Sequence, residues 1–216
     1  MLEPDAMAWL AANGIPTPAY RFAVTAPAAV QGCRELGYPV VMKVVSPDIL
    51  HKSDVGGVLL NIGDDAAAQA AFESIRHGAA GKDFRGVVIY PMVRGAHEVL
   101  LGLARDPQFG PVVAFGMGGI YTEILHDIAL CVAPVDRADA DAMIGEIKGA
   151  ALLRGARGQP PADLAALAAL LVTFSQLPFR YPALREVDLN PVFVSAGGVV
   201  VGDVRVIADR GKETDA

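Results

Sequence analysis

Two hydrophobic periods alternate along this chain, and that alternation narrows the folds open to it. Stretches with apolar residues three and four apart read as helices, and short β-branched runs between them read as strands. Helix and strand in turn along one chain give an α+β or α/β fold. Residues 4–13 read as a short helix closed by Gly14. Thr25 caps a second helix, with Pro27 in its first turn and Gly37 just past its end. Residues 40–45 and 57–62 are strands, joined by a loop over 46–56. A third helix follows Asp64-Asp65, with Ala68, Phe72 and Ile75 at helical spacing. Residues 86–90 form a strand stopped by Pro91, and 91–96 carry neither pattern. A boundary there divides the chain into subdomains 1–92 and 93–216. The second half reads as strands over 98–104, 112–115 and 128–133, with a turn at Asp106-Pro107. A helix starts at Asp136 or Asp139, and another runs from Asp163 to near Pro178. A hairpin of 187–194 and 199–207 closes the chain.

Composition excludes several classes. With 53% hydrophobic and 19% charged residues the chain is a folded one. Its longest apolar run, 164–174, is too short to cross a bilayer. Residues 1–5 show no secretory pattern, so the expected location is the cytoplasm, with no membrane partner. A net charge of −6 makes nucleic acid an unexpected partner. Cys33 and Cys131 sit among apolar neighbours without metal-ligand spacing and read as core thiols.

Lys43 stands in Val40-Val41-Met42-Lys43-Val44-Val45, a strand apolar on both faces. A buried ammonium is costly without an anion. Two readings follow: a lysine that snorkels or pairs with a carboxylate, or one aimed at a bound phosphate. In the loop after it, Gly56-Gly57 would let backbone N–H groups approach an anion, or would simply make a turn. His51 in the same loop is either a solvated surface residue or a phosphate acceptor or general base. The loop's proline, polar residues and terminal glycines fit a mobile surface segment.

The C-terminal hairpin supports a geometric argument. A turn at Ala196-Gly197, or a loop 195–198, sets Val194 opposite Val199. Counting back puts Asn190 opposite Asp203 and Asp188 opposite Arg205, with Cβ atoms about 5 Å apart across the strands. All four then share one face. An amide oxygen and a carboxylate converging there suit a hard cation such as Mg²⁺, and a polar cross-strand cluster is the plainer alternative. Glu98, Glu123 and Asp127 are further carboxylates at strand starts or near glycines. Phe115-Gly116-Met117-Gly118-Gly119 would let the chain pass close to a ligand. His77, His97 and His126 have no evident cluster partners.

Four motifs in order carry a resemblance over nearly the whole chain, from about Met7 to Ile207. They are Ser46-Pro47-Asp48-Ile49-Leu50-His51-Lys52-Ser53-Asp54-Val55-Gly56-Gly57-Val58, Arg105-Asp106-Pro107-Gln108-Phe109-Gly110-Pro111, Phe115-Gly116-Met117-Gly118-Gly119, and Glu186-Val187-Asp188-Leu189-Asn190-Pro191. Together they resemble the ATP-grasp domain of the ADP-forming acyl-CoA synthetases, the superfamily of acetate–CoA ligase and succinyl-CoA synthetase. The resemblance implies an α+β ATP-grasp fold holding ATP or ADP between two subdomains. It implies that Lys43 contacts the phosphates, that Gly56 and Gly57 cover them, and that Glu98 lies near the nucleotide. Residues 89–93 would be a hinge offering backbone groups to adenine, with Tyr90, Met92 and Val93 as contacts. Asn190 and Asp203 would hold Mg²⁺, and His51 would be the phosphate-carrying histidine. The implied reaction is that of an acid–thiol ligase: carboxylic acid, CoA and ATP give acyl-CoA, ADP and phosphate through phosphohistidine. The CoA-binding and ligase parts of such enzymes would be partners, an α subunit or further domains, without which the reaction is incomplete. A reading from another class is a regulatory or vestigial ATP-grasp module of a protein acetyltransferase-type fusion.

Overall fold

The computed structural model describes residues 1–49, 51–119, 127–156 and 160–209. They form two units. One holds Met1–Asp5 and Pro18–Arg94, and the other holds Ala6–Thr17 and the chain from Gly95 onward. A division at one point in the sequence leaves out the N-terminal piece that goes with the second unit.

The first unit is a four-stranded antiparallel sheet in the order β1-β4-β2-β3, made of β1 (Arg21–Ala23), β2 (Val40–Val45), β3 (Val58–Ile62) and β4 (Gly86–Pro91). The chain opens with helix α1 (Glu3–Ala12), and helices α2 (Ala26–Leu36) and α3 (Asp65–Gly78) complete the first unit. Thr25 and Asp64 cap them, each accepting a backbone N–H from three residues on, and Gly37 ends α2 at φ 83°. The strand alternation decides what each face does. Val40, Met42 and Val44 of β2 join Val87 and Ile89 of β4 in a core with Cys33, Ala68, Phe72 and Ile75 from the helices. Lys43 and Tyr90 therefore belong to the other face. The short strand β1 carries no alternation long enough to read from sequence.

An exposed cluster ties α2 to α3. Asp65 accepts from the Arg34 guanidinium and the Tyr38 hydroxyl, and these bonds hold its carboxyl below the usual aspartate range. A lowered native pKa stabilises the fold above the ordinary aspartate value, and that help is lost as pH falls through the lowered one. Asp65→Asn should therefore lower the melting temperature (Tm) slightly at pH 7, by an amount that shrinks as pH falls below the ordinary aspartate value. A loss that does not change with pH would show that charge is not the cause.

The second unit is an antiparallel sheet in the order β10-β8-β5-β6-β7, with β9 also paired to β8. Its strands are β5 (His97–Asp106), β6 (Gly110–Met117), β7 (Ile128–Val132), β8 (Leu184–Ser195), β9 (Gly198–Val201) and β10 (Val204–Ala208). Helices α4 (Arg137–Glu146), α5 (Ala150–Leu153), α6 (Leu164–Ser175) and α7 (Leu177–Arg180) belong to it. Asp136 is the N-cap of α4, in a reciprocal pair with Asp139. Pro178 does not simply end the long helix. It sits in the first turn of α7, where its missing N–H costs nothing.

Two motif segments prove structural here. Asp106 accepts the N–H groups of Gln108 and Phe109 and closes the β5–β6 turn. Arg105 reaches the carbonyls of Pro178, Pro182 and Leu184. In the glycine-rich run, a Cβ on Gly116 would lie 2.6 Å from the Asp127 carbonyl, and one on Gly118 would lie 3.1 Å from Glu98. The close approach read from those glycines is made by the protein's own chain. Cys131 also departs from expectation: it is half-exposed on the edge strand β7, whereas Cys33 is fully buried and its thiol is pushed up to about 11 by that burial. No described helix is long and apolar enough to cross a membrane.

Candidate functional site

In the first unit, charged groups gather on the sheet face away from α2 and α3. Lys43 is 7% exposed. Its ammonium lies 3.3 Å from Glu3 Oε1 and 5.2 Å from the centre of the Tyr90 ring. Lys43 pairs with Val88 and Tyr90 with Val41, so the two are diagonal neighbours across β2 and β4. The Tyr90 hydroxyl donates to the same Glu3 oxygen at 2.8 Å. The other oxygen, Oε2, faces the Lys52 ammonium at 2.7 Å. Of the two readings of Lys43, the carboxylate pair is present in the structure. The carboxylate offsets the cost of burying the ammonium on this strand.

His51 is exposed and stands at the start of a 3₁₀ turn, Lys52–Val55, to which its side chain makes no capping bond. The sequence pattern suggested a loop without regular structure; the turn forms because Gly56 adopts φ 64° and ends it. The N–H of Gly57 donates to the Lys52 carbonyl at 2.7 Å, and that of Gly56 to the Ser53 carbonyl at 3.1 Å. A Cβ on Gly57 would stand 2.5 Å from Val44 Cγ1. Both glycines are thus required by the turn itself, and in this structure their N–H groups serve it.

In the second unit the hairpin register is the counted one. Val194 faces Val199 and Asp188 faces Arg205. Between these pairs the Asn190 N–H donates to the Asp203 carbonyl at 3.3 Å. The return strand is nonetheless broken into β9 and β10 at Gly202-Asp203. Pro191 supplies no N–H to a ladder, and a Cβ on Gly202 would lie 2.4 Å from the Phe193 ring. The register survives the break: Asn190, which is exposed, and Asp203, which is half-buried, fall between the two ladders and are joined by that backbone bond. Burial pushes the Asp188 carboxyl up, Glu186 and Asp203 push it further, and Arg205 opposes them. Among the described residues no group of three or more His, Cys, Asp or Glu is gathered as a metal cluster, and Asn190 and Asp203 alone would offer a hard cation one amide and one carboxylate oxygen.

The model of the ATP-grasp domain family matches residues 1–208. This chain belongs to the ATP-grasp domain family. Among its relatives is the β subunit of ADP-forming acetate–CoA ligase I of Pyrococcus furiosus, 44% identical over 211 residues, covering 96% of this chain and 91% of that subunit. Acetate–CoA ligase [ADP-forming] I of Archaeoglobus fulgidus is 45% identical over 92% of this chain, which spans only 29% of that longer protein. Among solved structures, the dinucleotide-forming acetyl-coenzyme A synthetase 1 of Ca. Korarchaeum cryptofilum, in complex with coenzyme A and Ca-AMPCP, matches with TM-score 0.93 and 37% identity, over 97% of this chain and 93% of that one. Two more structures of that enzyme match over 97% of this chain. One (TM-score 0.85) has its phosphohistidine segment pointing towards the nucleotide-binding site. The other (TM-score 0.88) has a phosphorylated segment in a site I orientation. The named relatives are ligases and ligase subunits, which fits the ligase reading and not the regulatory one.

The remaining expected residues of this ATP-grasp domain are placed as follows. Met92 donates its N–H to the Pro39 carbonyl at 3.0 Å, and Val93 is half-buried beside it in sequence. Glu98 is exposed, and its carbonyl accepts the Gly118 N–H at 2.7 Å. Asp127 accepts from the N–H groups of Lys148 and Gly149 at 2.7 and 2.8 Å, a purely structural bond. His77 is exposed in the last turn of α3, and His97 opens β5. Glu123 and His126 lie outside the described residues. Two residues of the ATP-grasp domain escaped the sequence reading, Glu3 and Lys52. A buried lysine demands an anion, but nothing local pointed forty residues back to Glu3.

Proposed function

We propose that this domain is the nucleotide-binding and phosphoryl-transferring β component of an ADP-forming acyl-CoA synthetase. The observation that carries the reading is His51: exposed, without a role in capping its own turn, and next to a lysine anchored on a buried carboxylate. It stands in a domain 44% identical to the β subunit of such a ligase. In this proposal an imidazole nitrogen of His51 attacks the γ-phosphorus of ATP. The bond to the ADP oxygen breaks, an N–P bond forms, and ADP leaves. The phosphoryl group then passes to the carboxylic acid held by a CoA-binding partner, and CoA displaces phosphate from the acyl phosphate to give acyl-CoA. Lys43 holds negative charge on the phosphates, because phosphoryl transfer depends mostly on positioning and charge. Tyr90, Met92 and Val93 supply the adenine side, and Glu98 lies near the nucleotide. Asn190 and Asp203 hold Mg²⁺, which when bound neutralises phosphate charge.

Mg·ATP or Mg·ADP at about 100 times its dissociation constant should stabilise the chain by about 2.7 kcal/mol. That is a rise in Tm of roughly 5–10 °C for a chain of this size. Thermal melts with nucleotide, with and without Mg²⁺, measure it. No shift at millimolar Mg-nucleotide would remove the binding claim.

A further inference from the structure

The two oxygens of Glu3 face different parts of the first unit. Oε1 is tied to the sheet, accepting from Tyr90 at 2.8 Å and from Lys43 at 3.3 Å. Oε2 faces Lys52 at 2.7 Å, and Lys52 directly follows His51. The Glu3 side chain is 3% exposed, that of Lys43 8% and that of Lys52 19%. The ion pair to the segment is therefore poorly screened by solvent, and parting it costs more than parting a surface pair. The Lys52 carbonyl meanwhile accepts from Gly57, so one residue joins the turn's internal bonds to the Glu3 anchor.

We propose that Glu3 is a latch for the His51 segment: its Oε2–Lys52 pair fastens the segment to the β2–β4 sheet, while its Oε1 stays on Lys43 and Tyr90. This rests on the reading of His51 as the phosphate carrier. A carrier must visit two places, and each departure of this segment parts Lys52 from Glu3 without disturbing the sheet-side bonds. Glu3 is thus a positioning residue, acting through Lys52 and touching neither phosphate nor nucleotide.

The test uses the chain as it stands. Glu3→Gln keeps size and an oxygen for the Tyr90 hydroxyl but removes the charge. Amide hydrogen exchange across residues 51–57 should speed up about tenfold, more than any change in β2 and β4. With Mg·ATP, phosphate should appear on His51 about tenfold more slowly. Lys52→Met keeps the Lys43 and Tyr90 bonds to Glu3 Oε1, so nucleotide affinity should stay within a few-fold of the parent. It should open the same segment, and the double variant should open it no further than either single one. The latch is overturned if neither variant speeds exchange at 51–57, if β2 and β4 accelerate equally, or if the two effects add. Whether the unaltered chain forms phosphohistidine is scored separately. If it does not, the carrier reading fails, and the exchange data still decide whether Glu3 fastens the segment.

Discussion

His51→Ala should abolish acyl-CoA-linked ATP formation when the domain is assayed with its CoA-binding partner, a loss of more than about a thousandfold. If His51 is the proposed phosphate carrier, its removal leaves no alternative acceptor in the same place. The fold should scarcely notice. His51 is exposed and does not cap the turn after it, and surface changes of that kind usually fall within about 0.5 kcal/mol. Nucleotide affinity should stay within a few-fold. Labelled ATP should leave acid-labile, base-stable phosphate on the parent chain and none on the variant. Full turnover by His51→Ala would mean that phosphate reaches the nucleotide without this residue.

Lys43→Met should have two large effects that a double variant separates. The nucleotide-induced rise in Tm should disappear, because the cation proposed to meet phosphate is gone. The nucleotide-free chain should also weaken, since a carboxylate only 3% exposed loses a partner. Breaking a buried pair from one side costs about 3–5 kcal/mol, here lessened because Lys52 and Tyr90 still face Glu3. Adding Glu3→Gln removes the stranded charge, so the double variant should regain much of the lost stability and none of the nucleotide response. Recovery of both would make Lys43 a structural lysine.

The elements legible in the sequence were those whose signals are local. Thr25, Asp64 and Asp136 cap helices because a short oxygen three residues ahead of an N–H can reach it anywhere. The hairpin register was countable because a tight turn fixes every pair behind it. The count even survived Pro191 and the break at Gly202, which changed the strand bounds without slipping the alignment. Three features were not legible. The short strand β1 holds only three residues. The 3₁₀ turn after His51 depends on Gly57 fitting against Val44. The Glu3 cluster spans residues 3 to 90 and needs the sheet built before its members meet. The charge imbalance at Lys43 was visible, and the partner that answers it was not.

The strand order of the second unit also bears on how the chain is made. Strand β5 is flanked by β6, which follows it at once, and by β8, which arrives roughly eighty residues later. At ordinary rates of synthesis that gap is about 4–16 s. The first unit needs nothing beyond Arg94 and can close early. Meanwhile β5 to β7 wait with the β5 edge unpaired, and Val201 has yet to reach the Pro16 carbonyl. An unpaired sheet edge is a template for aggregation. The nascent chain should therefore depend most on chaperones while residues 107–183 emerge, and a ribosome-bound chain stopped there should show a protease-resistant first unit beside a sensitive second one.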